Sequence, residues 1–165
     1  MTTRALIAAT IGGATFASVS VLAHAGPLAL ARLAVLGAAL ASAAFFDLTQ
    51  RRVPNRIVLP AAATCAALTL AAGAPFSLLA GIATILVLLI VSLRWPAALG
   101  MGDVKLALLL VLGLDGDALR ALALGLVLAG LAGLALLIRQ GRTAWRKSLP
   151  MAPFLVVSAL LTVIA

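Results

Sequence analysis

Apolar residues occur along this chain in long unbroken runs, at roughly 5–23, 27–46, 57–74, 76–93, 104–114, 119–138 and 149–165. A helix needs about 20 such residues to cross the hydrocarbon of a bilayer, with a range of about 17–25. The fifth run is short, and is expected either to extend toward Ala118 or to sit against a locally thin or wet region. None of the runs alternates with period two, so membrane strands are set aside. The pattern predicts an all-α fold, a polytopic transmembrane helix bundle of six to seven spans forming a single domain over residues 1–165.

Composition strengthens this picture. Of the 165 residues, 65% are hydrophobic and only 10% charged, against about half and a quarter in an ordinary soluble domain; mean hydropathy is +1.27. So little polar surface cannot cover a water-facing sphere, so the solvent is expected to be lipid. The chain is rich in Ala and Leu, and small residues let transmembrane helices approach closely. Cys65, the single cysteine, lies inside an apolar run. It can form no intrachain disulfide and no CxxC zinc site, and is expected to be a small packed hydrophobe. Residues 1–23 resemble a signal peptide, with Arg4 ahead of the apolar run and Ala23-His24-Ala25 as a possible cleavage site. The run is long enough to span and further spans follow, so a retained helix is expected.

The net charge of +8 would suggest nucleic acid in a soluble protein. Here the basic residues sit in short clusters between apolar runs, the arrangement of cytoplasmic membrane anchors. No interleaving with aromatic residues or nucleic-acid motif accompanies them, so no nucleic-acid partner is expected. With a cytoplasmic N-terminus, Arg4, Arg51, Arg52, Arg56, Arg94, Lys105, Arg139, Arg142, Arg146 and Lys147 all fall inside, ten of the 12 basic residues. Arg32 and Arg120 fall outside, and Arg32 is expected to snorkel outward. Asp115 and Asp117 then belong to an outer turn, where Asp and Gly are ordinary residues.

There are only four acidic residues, so their positions carry information. Asp47 is expected to end the second span. A carboxylate there faces the negative end of the helix dipole, at a cost of a few tenths to about 1 kcal/mol. Arg51 or Arg52 could compensate it, and an interfacial aspartate held by its own arginines is the plain structural reading. The functional one follows from the rarity of ionisable groups at membrane depth. Asp103 starts the fifth span, where an aspartate also serves as a helix cap. Gly100 and Gly102 before it would allow a backbone to approach closely, either a docking peptide or a neighbouring helix. The third and fourth spans carry the chain out and back, which puts Asp47 and Asp103 on the same cytoplasmic face. Two carboxylates held together share a proton. The ionised one can then draw a proton from water while the protonated one polarises a peptide carbonyl. His24, the only histidine, is expected on the other side, so Ser-His and Cys-His chemistry has no base here.

Around these aspartates the chain resembles the type IV prepilin peptidases. Asp47 is followed seven residues later by Pro54-Asn55, as in that family's first signature, and Gly100-Met-Gly-Asp-Val-Lys105 is similar to its second, Gly-x-Gly-Asp-x-Lys. A weaker match is Leu149-Pro-Met-Ala-Pro-Phe154, where Ala152 replaces a glycine. The likeness covers roughly residues 41–165, with 1–40 an extra N-terminal helical hairpin portion. It implies a membrane aspartic endopeptidase with Asp47 and Asp103 as the catalytic pair and no metal or other cofactor. Its substrates would be pilin, pseudopilin or Flp-type precursors, whose basic cytoplasmic leader is removed. Pro54 and Asn55 would shape the loop after Asp47, with Asn55 able to cap the next helix. Lys105 matches the motif, although headgroup snorkelling explains it equally well. Larger family members carry an N-terminal domain, often with CxxC zinc motifs, associated with N-methylation. The chain shows no such segment, so cleavage without methyl transfer is expected.

Two other readings compete. A transporter or assembly protein could use the aspartates for ion coupling without cleaving anything. A presenilin-type peptidase shares Gly-x-Gly-Asp, but there a Tyr precedes the first aspartate, where this chain has Phe46, and the last span carries Pro-Ala-Leu, which is missing here.

Overall fold

The computed structural model describes residues 3–22, 26–73, 75–95, 100–141 and 150–165. Every regular element among them is helical. Helices α1 (Thr3–Leu22), α2 (Pro27–Gln50), α3 (Asn55–Ala71), α4 (Pro75–Arg94), α5 (Met101–Leu114), α6 (Ala118–Gln140) and α7 (Ala152–Ile164) follow in order, with a 3-10 turn at Asp115–Asp117 between α5 and α6. Two stretches, Pro27–Gln50 and Met101–Gln140, are long and apolar enough to cross a membrane; the other apolar helices are shorter. His24, the possible cleavage site around it, and the basic residues Arg142, Arg146 and Lys147 lie outside the described residues.

The bundle is apolar on its outside. Leu79, Ile82, Leu86, Val87, Ile90 and Leu93 of α4 are exposed, as are Leu119, Leu126, Val127, Leu131, Leu134 and Ile138 of α6. In water such faces would aggregate; against lipid tails they cost nothing, and the hydrophobic effect then no longer drives helix pairing. Close packing takes its place. A Cβ on Gly37 of α2 would stand 2.6 Å from the Gly12 carbonyl oxygen of α1, and Gly37 also lies against Phe16. Small residues at this crossing let the two backbones nearly touch. The hydroxyls of Thr15, Ser42, Thr64, Thr69 and Thr162 bond to carbonyls one turn back in their own helices, which satisfies them without water.

Helix α5 is the axis of the bundle. It touches α2, α3, α4, α6 and α7, and Val104, Leu106, Ala107 and Leu109–Leu114 are buried. Its shortness, visible in the sequence, goes with this enclosure: it ends at Leu114, without extending to Ala118, and the 3-10 turn follows directly. Arg32 departs from the expectation of outward snorkelling. Its Nη1 donates to Asp115 Oδ2 at 3.1 Å and to Thr69 Oγ1 at 3.0 Å, so the acid in the turn draws the guanidinium inward. Cys65 is buried among apolar neighbours as expected.

Candidate active site

Helix α2 runs a turn beyond the expected end of its span, to Gln50. Arg51 closes it in the left-handed conformation (φ 51, ψ 38), and its N–H donates to the Asp47 carbonyl at 3.0 Å. Asp47 therefore lies in the last turn, still at the unfavourable end of the α2 dipole. A hydrogen bond from a helix distant in sequence offsets part of this cost. The Ala152 N–H, at the start of α7, donates to Asp47 Oδ2 at 3.1 Å. The first N–H groups of a helix have no partner within it, and Pro153 next in line has none to offer. The positive end of α7 thus faces a carboxylate stranded at the negative end of α2. In the Leu149–Phe154 stretch, where the family likeness is weaker, what matters at Ala152 is its backbone, which is indifferent to the Gly-to-Ala change.

Asp103 is the third residue of α5, whose N-cap is Gly100. The Gly100 N–H bonds to the Asp103 carboxylate, the return half of a capping box. The capping role and a role in a site are therefore not alternatives, since one carboxylate meets both demands. Asp103 stands just before the apolar run that begins at Val104 and opens onto the cavity described next.

Both aspartates line one cavity of about 870 Å³ at this end of the bundle. The structure brings Pro54, Asn55, Gly100, Gly102 and Lys105 to the same wall, so each residue singled out from the sequence borders this space. Phe46, Gln50, Arg51, Arg52, Val53, Arg56, Pro150 and Met151 complete the lining. Arg51 and Arg52 were expected near Asp47; Gln50 and Val53 carry no role in the sequence reading, and their place beside the Asp47 motif is the signal for them. One role is corrected. Asn55 does not cap α3: Pro54 stands at the N-cap position, no side chain bonds there, and Asn55 is the first helical residue.

Neither motif glycine is forced by a clash or a positive φ. Gly100 has ordinary extended dihedrals (φ −71, ψ 145), and a Cβ on it would rest 3.4 Å from Asp103 Oδ2. A Cβ on Gly102 would rest 3.4 Å from Val53 Cγ2, an ordinary contact. Their lack of side chains leaves the cavity wall bare beside Asp103. Among the described residues no group of three or more His, Cys, Asp or Glu could hold a metal ion.

An all-helical fold with an apolar exterior and two helices long enough to span points to the class of membrane proteins. More specifically, residues 34–138 match the type IV leader peptidase family. That is more than half of the chain and includes both aspartate motifs; the chain belongs to this family and is a peptidase. No curated protein and no solved structure matches it significantly.

Proposed function

We propose that the protein is a multi-pass aspartic endopeptidase that removes the basic cytoplasmic leader of prepilin-like membrane precursors, with Asp47 and Asp103 as its catalytic pair. The observation that carries this reading is the meeting of the two carboxylates on one cavity, each held by a helix N-terminal N–H. The ten inward basic residues of the six- or seven-span topology favour a cytoplasmic cavity, where a precursor's leader would lie. Arg94 stacks over the Trp95 ring at 5.3 Å at the end of α4, as suits an interfacial anchor.

Two carboxylates on one cavity share a proton. Asp103, in its protonated form, donates a hydrogen bond to the scissile carbonyl. Asp47 takes a proton from water, whose oxygen attacks the carbonyl carbon. In the tetrahedral intermediate the carbonyl oxygen holds the proton from Asp103. On collapse the C–N bond breaks, Asp47 gives its proton to the leaving amine, and a hydroxyl proton returns to Asp103. Atoms balance and both carboxyls regain their starting states. No methyl transfer is assigned to this chain.

Co-expression with candidate precursors bearing a basic leader tests the reading, scored by the mobility shift on leader loss. Asp47→Asn and Asp103→Asn should each abolish the shift while the protein still inserts. Robust cleavage by either variant, or none by the wild type on any pilin-like precursor, would overturn it. An ion-coupled protein would instead lose flux in the variants with no cleavage to lose.

A further inference from the structure

Helix α2 carries Arg32 near its start and Asp47 near its end; antiparallel to it, α5 carries Asp103 at its start and leads directly into Asp115. Along a helix, the 15 residues from Arg32 to Asp47 span about 22 Å and the 12 from Asp103 to Asp115 about 18 Å. The two helices are therefore bridged by ionisable residues at both ends. At one end like charges meet across the cavity. At the other, Arg32 Nη1 and Asp115 Oδ2 pair at 3.1 Å, with side chains only 13% and 25% exposed.

The distant pair is tied into its surroundings on three sides. Thr69 of α3 accepts from Arg32 and donates to the Cys65 and Leu112 carbonyls, joining α2, α3 and α5 at one hydroxyl. One layer inward, Leu36 of α2 fills the space over Gly113 of α5, where a Cβ would stand 2.7 Å from Leu36 Cδ1. Asp115 adopts φ 57, ψ −127, a backbone state that L residues rarely take, although Gly116 stands next to it. Arg32 Nε and Asp115 Oδ1 are buried with no hydrogen-bond partner among the described residues. A pair that leaves polar atoms unsatisfied and strains its backbone is poorly designed for stability. Setting register is the best-attested use of such pairs.

We infer that Arg32 and Asp115 are positioning residues: their ion pair, seated beside the Leu36–Gly113 contact, fixes the axial register of α5 against α2 and so sets where Asp103 stands relative to Asp47. The inference rests on the two-aspartate reading above. A helix enclosed on all sides transmits an axial shift along its whole length, because packed interiors do not deform continuously.

The test uses the full chain in detergent or proteoliposomes with a cleavable pilin-like precursor. Arg32→Met, Asp115→Asn and the double variant should lower kcat by roughly ten- to a hundredfold, the scale of an ångström misplacement, with KM unchanged. Arg32→Lys should recover most of the loss. The double variant leaves no lone buried charge and so keeps the test valid if a single variant fails to fold. A second measurement needs no activity. With Asp47→Cys and Asp103→Cys on a Cys65→Ala background, a short bis-maleimide should cross-link the two positions, and adding the double variant should reduce the yield severalfold. Unchanged cross-linking in the double variant overturns the inference, whatever the kinetics. So does a double variant with wild-type kcat. If the wild type cleaves nothing, the proposed function falls, while the cross-linking still decides the register.

Discussion

Replacing Gly102 by alanine should raise stability and lower activity, and the opposite signs make it a discriminating change. Gly102 is the second residue of α5, in helical conformation. Alanine there gains about 0.5–1 kcal/mol from the lower chain entropy and better helix propensity of the substituted residue. Nothing in the fold subtracts from that gain, because the new methyl would meet Val53 Cγ2 at 3.4 Å and Val53 Cβ at 3.8 Å, both ordinary contacts. The same methyl, however, stands on the cavity wall next to Asp103. If a substrate backbone runs along that wall to reach the carboxylates, an added methyl forces it outward at about 1–3 kcal/mol, or roughly ten- to a hundredfold in kcat/KM. The assay pairs denaturant-induced unfolding in detergent micelles with initial cleavage rates on a pilin-like precursor. Wild-type kcat/KM in a stabilised Gly102→Ala variant would refute the idea that the bare wall is a peptide track. Loss of stability would refute the local geometry. Gly100→Ala is the internal control: as an N-cap, glycine is preferred to alanine, so this variant should lose stability.

The other predictions concern the helix ends and the close crossings. Asp47→Ala removes the acceptor of the Ala152 N–H and should destabilise by about 1–2 kcal/mol, whereas Asp47→Asn retains an oxygen there and should stay near wild type; thermal unfolding of the two variants separates folding from chemistry. Gly37→Val would drive a side chain into Phe16 and the Gly12 carbonyl and should cost at least about 1–3 kcal/mol by overpacking. No described α1 residue lines the cavity, so the fraction that remains folded should cleave normally.

What the sequence disclosed and what it concealed divide along a physical line. Helices were legible because lipid demands long apolar runs, and the shortness of α5 was visible as the shortest of them. Asp47, Asp103 and their glycines stood out because acids are scarce and because the two motifs carried a family likeness. Tertiary partners were hidden, since each lies far off in sequence. Asp47 meets Ala152 over 105 positions and Arg32 meets Asp115 over 83, and no local pattern encodes such a pairing. Two departures share this origin: Arg32 turns inward because its acid lies in a distant turn, and Asn55 leaves the cap position to Pro54. The positive ends of two helices, α5 and α7, supply N–H groups to the two carboxylates, and these groups are backbone. Side-chain identity can change around them, as Ala152 shows in place of glycine, without altering the donor. A site held this way is specified by where helices begin, so the positions that set those beginnings, Gly100 and Met151 at the caps and Pro153 just inside, constrain the carboxylates as firmly as the residues that flank them.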